Sequence, residues 1–471
     1  MIDRRSFLAV AASLGAHAAI AGTVPFPSRS RWIERRDLYP QGVASGDPDE
    51  DSVILWTRRP FDPSQSGNLV VEVAEDEGFD RVVAAKRVRV EAVSDWTCRV
   101  LVGGLSPDRV YWYRFTDAGG FGSRVGRTMT APDPHDARDV RFAFVCCQNV
   151  NQGAQNAYRR MIYEDDRGAP TDRLGFVLHL GDFIYEVVWY PEDRPQGILD
   201  RRLRDVIRYP NGEKIHDFHI PTDVGDYRVA YRAYLADPDI QDARARWPFV
   251  AMWDNHEFSQ NGWQGVIQFA NKNRPAQSLK VAANQAWFEY QPARVTRPGG
   301  LSLDRFDPPH VVDTPITRFD EAGLGQEPNN LAALASLTGY RVHRWGRHVD
   351  LIITDQHSYR SEEPLLGPQA DALTTDDFLD FIPEEAMMIL DGGRAYNGGS
   401  PPADIPFGGK RIANYRKDAP PQTILGAEQK AWFLEQLAAS KATWKIWGNT
   451  SGTLDSRADP RNLPSGTGPR W

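Results

Sequence analysis

Side chains that commonly bind metal ions stand directly after short apolar runs of this sequence. They are Cys147 after one run, Asp182 and Tyr185 after the next, and Asn255 and His256 after a third. Ligands of layered α/β folds bind beyond the carboxyl ends of the strands, so we expect the three groups to meet. A Gly-Asp corner followed three residues later by Tyr lets a carboxylate and a phenolate reach one metal ion, and the carboxylate can bridge to a second. The pattern therefore predicts a metal site.

Each of these residues also has an ordinary structural explanation. An Asp after Gly is commonly a turn residue, so Asp182 alone does not indicate a metal site. His256 could be a satisfied core histidine, with Asp254 as a helix cap. Burial in an apolar core is the alternative for each cysteine, and we adopt it for Cys146. Asp254 is followed by an amide, an imidazole and a second carboxylate. Solvation explains such a string poorly, which favours the metal site.

The elements that must position these residues lie after residue 140. Four apolar runs stop abruptly at polar residues, as buried strands do. They are Phe142–Val145, Phe176–Leu180, Phe249–Trp253 and Leu351–Thr354. Helical patterns lie between or after them, at Asn156–Tyr163, Ser278–Tyr290 and Ala427–Ala438. This alternation predicts an α/β or α+β layered core within residues 140–471.

Residues 38–131 show a different pattern. Short alternating runs bounded by Gly, Pro, Asp or Ser predict several short strands. The runs are Ser52–Trp56, Leu69–Val73, Val82–Val90, Cys98–Val102 and Val110–Phe115. The segment Leu105-Ser106-Pro107 before Tyr111 resembles the tyrosine corner of immunoglobulin-like and fibronectin-like domains. We therefore expect an N-terminal β-sandwich over residues 38–131, with a linker at 131–136 before the second domain.

Composition and the first residues indicate the class and location of the protein. A length of 471 residues suggests two or three domains, and a formal net charge of -8 gives no general attraction to nucleic acid. Arg4 and Arg5 precede an apolar run from Ala9 to Ala21, which predicts a twin-arginine signal peptide over residues 1–21. The protein would then be periplasmic or secreted. An N-terminal anchor helix is the alternative, although the run is short for a membrane span.

Eight sequence motifs follow one another along the chain. They lie at residues 41–48, 53–58, 144–148, 157–159, 177–186, 253–257, 355–360 and 425–429. In order and content they are similar to the motifs of the PhoD-type alkaline phosphatases and phosphodiesterases, metallophosphoesterases whose site is related to that of purple acid phosphatases. The resemblance implies a four-layer α/β metallophosphoesterase domain. It also implies hydrolysis of phosphate mono- or diesters with Fe(III) and Ca(II) as cofactors.

By position, the resemblance implies a role for each candidate residue. Cys147 would be a thiolate ligand of iron, Asp182 a bridging carboxylate and Tyr185 a phenolate ligand. Asn255, where the family often has Asp, would bind the second ion or hold the phosphate. His256 would bind or protonate the leaving oxygen.

A downstream motif supplies two further candidates. Asp355 would coordinate Ca(II), and Arg360 would face the phosphate. His357 stands where the family has an Arg. Two adjacent cations would neutralise the charge of the ester and lower the pKa of a bound water. Cys and Tyr donors favour iron over zinc.

One element of the family pattern has no counterpart here. Family members carry a Gly-Asp-x-His element after a further core strand, and this sequence contains no Gly-Asp-x-His. We therefore expect the catalytic domain to be C-terminally incomplete, with an unpaired sheet edge. A catalytically inert exported binding protein and a non-functional truncated fragment are the alternatives. The expected partners are a phosphate mono- or diester and the twin-arginine translocase, with no permanent membrane anchor.

Overall fold

The computed structural model describes most of the chain after the predicted signal segment. The described residues are 18–22, 24–62, 67–169, 172–198, 201–269, 272–297, 300–301, 305–365, 369–373, 384–407 and 410–451. Arg4 and Arg5 lie outside these ranges. Over the described ranges, every helix is too short or too polar to cross a bilayer.

Ten strands form the N-terminal part of the structure. They are β1 (Ala18–Ile20), β2 (Ile33–Glu34), β3 (Val43–Gly46), β4 (Ser52–Arg58), β5 (Gly67–Ala74), β6 (Val82–Val90), β7 (Thr97–Gly103), β8 (Val110–Asp117), β9 (Phe121–Gly122) and β10 (Gly126–Met129). Strand β1 belongs to the predicted signal segment and pairs in parallel with β7.

Strands and helices alternate in the remainder of the described chain. The strands are β11 (Phe142–Val145), β12 (Phe176–His179), β13 (Glu213–Ile215), β14 (Phe218–Ile220), β15 (Pro248–Ala251), β16 (Val266–Phe269), β17 (Lys272–Pro275), β18 (Thr296–Arg297), β19 (Gly300–Leu301), β20 (Arg341–Trp345), β21 (Val349–Ile353), β22 (Asp404–Phe407), β23 (Lys410–Ala413) and β24 (Trp444–Gly448). The helices are α1 (Asn156–Arg167), α2 (Val224–Tyr234), α3 (Pro238–Arg246), α4 (Gln277–Tyr290), α5 (Pro328–Ala335), α6 (Glu384–Gly392), α7 (Tyr396–Gly399) and α8 (Gly426–Ala439).

Two sheets share one apolar core in the N-terminal part. One contains β1, β7, β4 and β3, and the other contains β2, β9, β8, β5 and β6, with β10 beside β8. Side chains from both sheets, such as Val53, Val71 and Val100, belong to the shared core. The Tyr111 hydroxyl accepts a 2.9 Å hydrogen bond from the backbone N–H of Ser106. This contact is the one expected of the predicted tyrosine corner.

The first of these sheets continues into the second half of the chain. Its full order is β1-β7-β4-β3-β15-β12-β11. Strand β3 pairs in parallel with β15, where Gly46 stands opposite Phe249. Only glycine permits this packing, because a Cβ on Gly46 would lie 2.2 Å from the carbonyl oxygen of Pro292. Sequence reasoning separated the two parts at residues 131–136, whereas one sheet joins them.

A second sheet, β20-β21-β24, packs against the end of the first sheet that contains β15, β12 and β11. Phe176 and Val250 meet Leu351 in the apolar cluster between the sheets. Val177 and Phe249 point the opposite way, into a larger cluster with α2, α3 and α4. Both faces of β12 and β15 are therefore covered, which explains why their sequences are mostly apolar.

A buried ion pair fixes the N-terminal part on this core. The Asp47 carboxylate accepts hydrogen bonds from Nε and Nη2 of Arg341, at 2.7 and 2.9 Å. The same Nη2 donates to the carbonyl oxygen of Ala251, the last residue of β15, at 2.8 Å. Burial alone would raise the pKa of Asp47, but the charges of Arg341 and His343 outweigh it and hold that pKa below its usual range. The pair therefore links the start of the chain to the strand that leads to Asn255 and His256.

Candidate metal centre

The candidate ligands follow three adjacent parallel strands. Val145 of β11 stands opposite His179 of β12, which stands opposite Ala251 of β15. The three chain segments that leave these strands therefore arrive at the same edge of the sheet. The backbone N–H of Cys147 donates to the carbonyl oxygen of Gly181 at 3.4 Å. The convergence predicted from the sequence is present.

Two of these residues have left-handed backbone conformations. Cys147 has φ 56° and Asp182 has φ 54°. Non-glycine residues seldom adopt this region, and such strain persists where the surroundings impose it, frequently at functional sites. Gly181 has φ 92°, and a Cβ on it would lie 2.3 Å from the Cβ of Asp254. The glycine thus allows the loops after β12 and β15 to touch.

Cys147, Asp182 and Tyr185 form one cluster of side chains. They are near enough that each shifts the pKa of another through charge and side-chain hydrogen bonding. Burial, with the Asp182 charge, raises the pKa of the Cys147 thiol to about 12 and raises that of Tyr185 well above its usual value. Burial also raises the pKa of Asp182. A cation among the three would reverse these shifts, because it stabilises thiolate, phenolate and carboxylate.

Glu257 holds two of the three loops together. Its buried carboxylate accepts hydrogen bonds from the backbone N–H groups of Asp182 at 3.0 Å, Phe183 at 2.6 Å and Asp254 at 2.8 Å. Sequence reasoning assigned Glu257 no role. A signal was present, since Glu257 stands three residues after Asp254, the spacing of a capping box, and the structure contains that box.

His256 is oriented by a buried carboxylate. Its Nδ1 lies 2.6 Å from Oε2 of Glu186, and its ring stacks on Tyr185 with the centroids 4.0 Å apart. Glu186 also accepts a hydrogen bond from the backbone N–H of Gln260. Burial lowers the pKa of His256, but the Glu186 charge and hydrogen bond outweigh burial, so the pKa is raised overall. The contact with Glu186 leaves Nε2 as the ring nitrogen for any other ligand. Like Glu257, Glu186 is not among the site residues predicted from the sequence.

Asn255 opens the single turn of 3-10 helix that also contains His256 and Glu257. Its carbonyl oxygen accepts hydrogen bonds from the backbone N–H groups of Phe258 at 2.9 Å and Ser259 at 2.8 Å. The turn places Asn255 beside Asp254, at the same strand end as the cluster.

The structure does not bring Asp355 and Arg360 into contact with the cluster. The Asp355 carboxylate accepts hydrogen bonds from the backbone N–H of His357 at 3.0 Å and from the N–H and hydroxyl of Ser358 at 2.8 and 2.5 Å. Arg360 pairs with Glu363 at 3.3 Å. The loop of Asp355 is nevertheless tied to the site, because Nε2 of His357 lies 2.6 Å from Oδ1 of Asp254.

Lys280 supplies a second tie between the loops after β15 and β21. Its buried ammonium donates to the Ser358 hydroxyl at 3.0 Å and stands 4.1 Å from the centroid of the Trp253 ring. Burial lowers the pKa of Lys280 to about 8, against the charges of Asp355 and Glu257. Sequence reasoning missed Lys280, because a lysine in a helix is ordinarily solvated.

The candidate donor set includes a tyrosine, a residue type outside the four that most often bind metal ions. Within the described ranges, no three His, Cys, Asp or Glu side chains are grouped to hold a metal. The cluster instead adds a phenol to one thiol and one carboxyl group, three side chains that can bind a metal ion when deprotonated. Cys147, Asp182 and Tyr185 are the residues that could hold such an ion.

The fold and the cluster together define a class of protein. It is a layered α/β protein with Cys, Asp, Tyr and His side chains at the ends of adjacent strands. A family model described as PhoD-like phosphatase matches residues 142–463. A model of the PhoD-like phosphatase N-terminal domain matches residues 27–132. The chain therefore belongs to the PhoD-like phosphatase family.

Two relatives show the extent of the likeness. Alkaline phosphatase D of Bacillus subtilis (strain 168) is 27% identical over 413 residues, which are 86% of this chain and 54% of that protein. A solved structure titled "Structure of PhoD" is 25% identical with a TM-score of 0.56, over 87% of this chain and 61% of that one. The chain thus spans about half the length of the curated relative that it matches.

Proposed function

We propose that this protein hydrolyses phosphate mono- or diesters at a binuclear Fe(III)/Ca(II) site and is exported to the periplasm or secreted. Membership of the PhoD-like phosphatase family supports the reaction class. The observation that carries the proposal is the cluster of Cys147, Asp182 and Tyr185 at the ends of adjacent parallel strands. These three residues would hold iron, with Asp182 shared between the ions, and Asn255 and Asp355 would serve the calcium ion.

The ions, when bound, would neutralise the charge of the phosphate and make a water molecule more acidic. The protein residues would orient the ester and supply the proton. The attacking water would give up one proton to solvent as its oxygen bonds to phosphorus. As the ester P–O bond breaks, His256 would donate a proton from Nε2 to the leaving oxygen. Its contact with Glu186 supports this role, since it fixes the ring and favours the protonated form.

Arg360 is the residue that we assign to the phosphate group, and holding the phosphate is the alternative role of Asn255. Arg360 would have to leave Glu363 to reach it. That pair is long, at 3.3 Å, and partly exposed. Partly exposed ion pairs contribute at most about 1 kcal/mol to stability. Breaking the contact between Arg360 and Glu363 would therefore cost little free energy.

The proposal extends to the architecture. We infer a signal peptide over residues 1–21, an immunoglobulin-like domain over 38–131 and a four-layer metallophosphoesterase domain from residue 140. Two facing N-terminal sheets and the tyrosine-corner hydrogen bond support the second of these inferences. The helices on one sheet and α8 on the other, where Phe433 meets Trp447, support the third.

Hydrolysis of p-nitrophenyl phosphate and of its bis ester tests whether the protein is a phosphoesterase and whether it prefers monoesters or diesters. Protein loaded with Fe(III) and Ca(II) should release p-nitrophenol, and His256→Gln should lower kcat by at least ~100-fold because the proton donor is lost. His310→Gln, at an exposed histidine, is the matched control and should keep wild-type rates. No hydrolysis of either ester by the metal-loaded protein would overturn the proposal.

A further inference from the structure

Arg244 is buried among aromatic rings beneath the first sheet. It is 1% exposed, and its guanidinium stands 4.9 Å from the Trp56 ring and 5.4 Å from the Phe183 ring. Nη2 donates to the carbonyl oxygen of Tyr290 at 2.9 Å, while Nε and Nη1 have no hydrogen-bond partner. Two buried donors of a cationic group are therefore unsatisfied.

Two other buried arginines of the described chain are paired with carboxylates. Arg114 contacts Glu72 at 2.9 Å, and Arg341 contacts Asp47 at 2.7 Å. An unpaired buried charge is far more costly than a paired one. The effect is visible in Arg244, whose pKa burial lowers to about 10. Arg244 thus has the environment of a cation that lacks its counter-charge.

Two more unsatisfied side chains meet the same phenylalanine ring. The His179 ring lies 4.9 Å and the Tyr231 ring 6.2 Å from the Phe183 ring, measured between centroids. Both ring nitrogens of His179 and the hydroxyl of Tyr231 are buried without a partner. Buried polar groups are nearly always hydrogen-bonded. Three side chains around one ring therefore have buried polar atoms without a hydrogen-bond partner.

We propose that Arg244, His179 and Tyr231 form a buried binding site for a small monovalent anion of the halide class, such as chloride. Guanidinium, imidazole and phenol groups all offer hydrogen donors to such an ion. An anion also supplies the missing negative charge, which a water molecule does not, and so compensates the desolvation of Arg244.

The anion site is distinct from the candidate metal centre. Phe183 is buried within the apolar cluster between the first sheet and its helices, whereas Tyr185 is only partly buried and packs against that cluster from the strand end. The two are linked through the backbone, because His179 and Phe183 flank the turn that carries Asp182. An ion behind this turn restrains the segment that presents the carboxylate. Anion binding at Arg244 requires no phosphatase activity, so it can be tested independently of the proposed function.

Crystals soaked in sodium bromide and measured at the bromine absorption edge test the site directly. The expected result is an anomalous peak in hydrogen-bonding contact with Nη1 of Arg244 that is absent from Arg244→Met crystals. Density for water alone, without anomalous signal, would overturn the proposal. A peak that persists in Arg244→Met would also overturn it.

Thermal unfolding gives a test in solution. Protein prepared in sodium gluconate should show a saturable rise in Tm as chloride replaces gluconate at constant ionic strength. Arg244→Met should show no rise, and Arg246→Met, on the same helix but paired with Asp165, should behave as wild type. His179→Phe keeps the cation, so it provides a second variant, and its rise should need more chloride. A wild-type Tm that is indifferent to chloride would contradict the proposal.

Discussion

Buried charged residues set the positions of the candidate ligands. Glu257 joins the backbone of the Asp182 loop to that of the Asp254 loop, and Glu186 fixes the ring of His256. A buried carboxyl group that accepts several backbone N–H bonds restrains the segments that donate them, here those of Asp182, Phe183 and Asp254. The geometry of the site therefore depends on residues that are not themselves candidate ligands.

Lys280 should make stability depend on pH in a specific direction. Its pKa is about 8 in the folded protein against an ordinary value of 10.5, so the unfolded state binds more protons between these values. The free energy of unfolding of the wild type should rise between pH 8 and 10.5 by roughly 3 kcal/mol from this group. Lys280→Met should lack this rise, as measured by urea unfolding across the range.

The control is Lys430→Met, at an exposed lysine, which should retain the wild-type slope. The comparison uses the slope rather than stability at one pH, because Lys280→Met also loses the Ser358 hydrogen bond and the contact with Trp253. Parallel pH profiles for wild type and Lys280→Met would refute the assignment.

The residues that could be predicted are those with a local pattern. Cys147, Asp182 and Tyr185 were recognised because each follows an apolar run, and the structure groups them. Lys280 and Glu186 were missed because their roles arise from contacts across 78 and 70 residues of sequence. Such contacts depend on the fold and leave no spacing signal.

At the scale of elements, local runs identified the strands of the core. The predicted run Phe142–Val145 has the bounds of β11, and Phe176–Leu180 exceeds β12 by one residue. The predicted run Phe249–Trp253 continues two residues past β15, because Met252 and Trp253 are buried after the strand has ended. Burial rather than strand pairing determines where an apolar run stops.

Strand pairing between distant segments could not be predicted. Strands β3 and β15 pair although their residues are about 200 positions apart in the sequence. No local sequence pattern predicts this pairing. Phe144 of β11 and Trp444 of β24 are 67% and 66% exposed, and both strands are outermost in their sheets among the described residues.

The Asp47–Arg341 pair should contribute strongly to the packing of the N-terminal part on the α/β core. Arg341→Met leaves a buried carboxylate without its partner, so it should lower the free energy of unfolding by about 3–5 kcal/mol. The double variant Asp47→Asn with Arg341→Met should lose less than the sum of the single variants. Arg411→Met, in an exposed pair with Asp404, should change stability by less than about 1 kcal/mol. Additive losses in the double variant would show that the pair is not coupled.

At the scale of the molecule, sequence and structure support two connected parts. The family models match residues 27–132 and 142–463, and the domain bounds 38–131 and 140–471 stay predictions. The alignments reach only part of the relatives' length, so activity and partners are matters for experiment. Export concerns residues outside the described ranges and stays a prediction.

Replacement of the two arginines tests export. Arg4→Lys together with Arg5→Lys should keep the protein in the cytoplasm, because the translocase reads the arginine pair. Fractionation of cells that express the full chain measures this, with Arg29→Lys, at an exposed position beyond the signal, as the control. Normal export of the double variant would exclude the twin-arginine route.

In the proposed function, Tyr185 binds iron together with Cys147 and Asp182. A phenolate bound to Fe(III) absorbs visible light by charge transfer, so absorption of iron-loaded protein reports on this contact without any turnover. We expect a visible band in the wild type, its loss or a large shift in Tyr185→Phe, and no change in Tyr163→Phe, where the tyrosine is 49% exposed. An unchanged band in iron-loaded Tyr185→Phe, or a wild type that binds no Fe(III), would contradict the account.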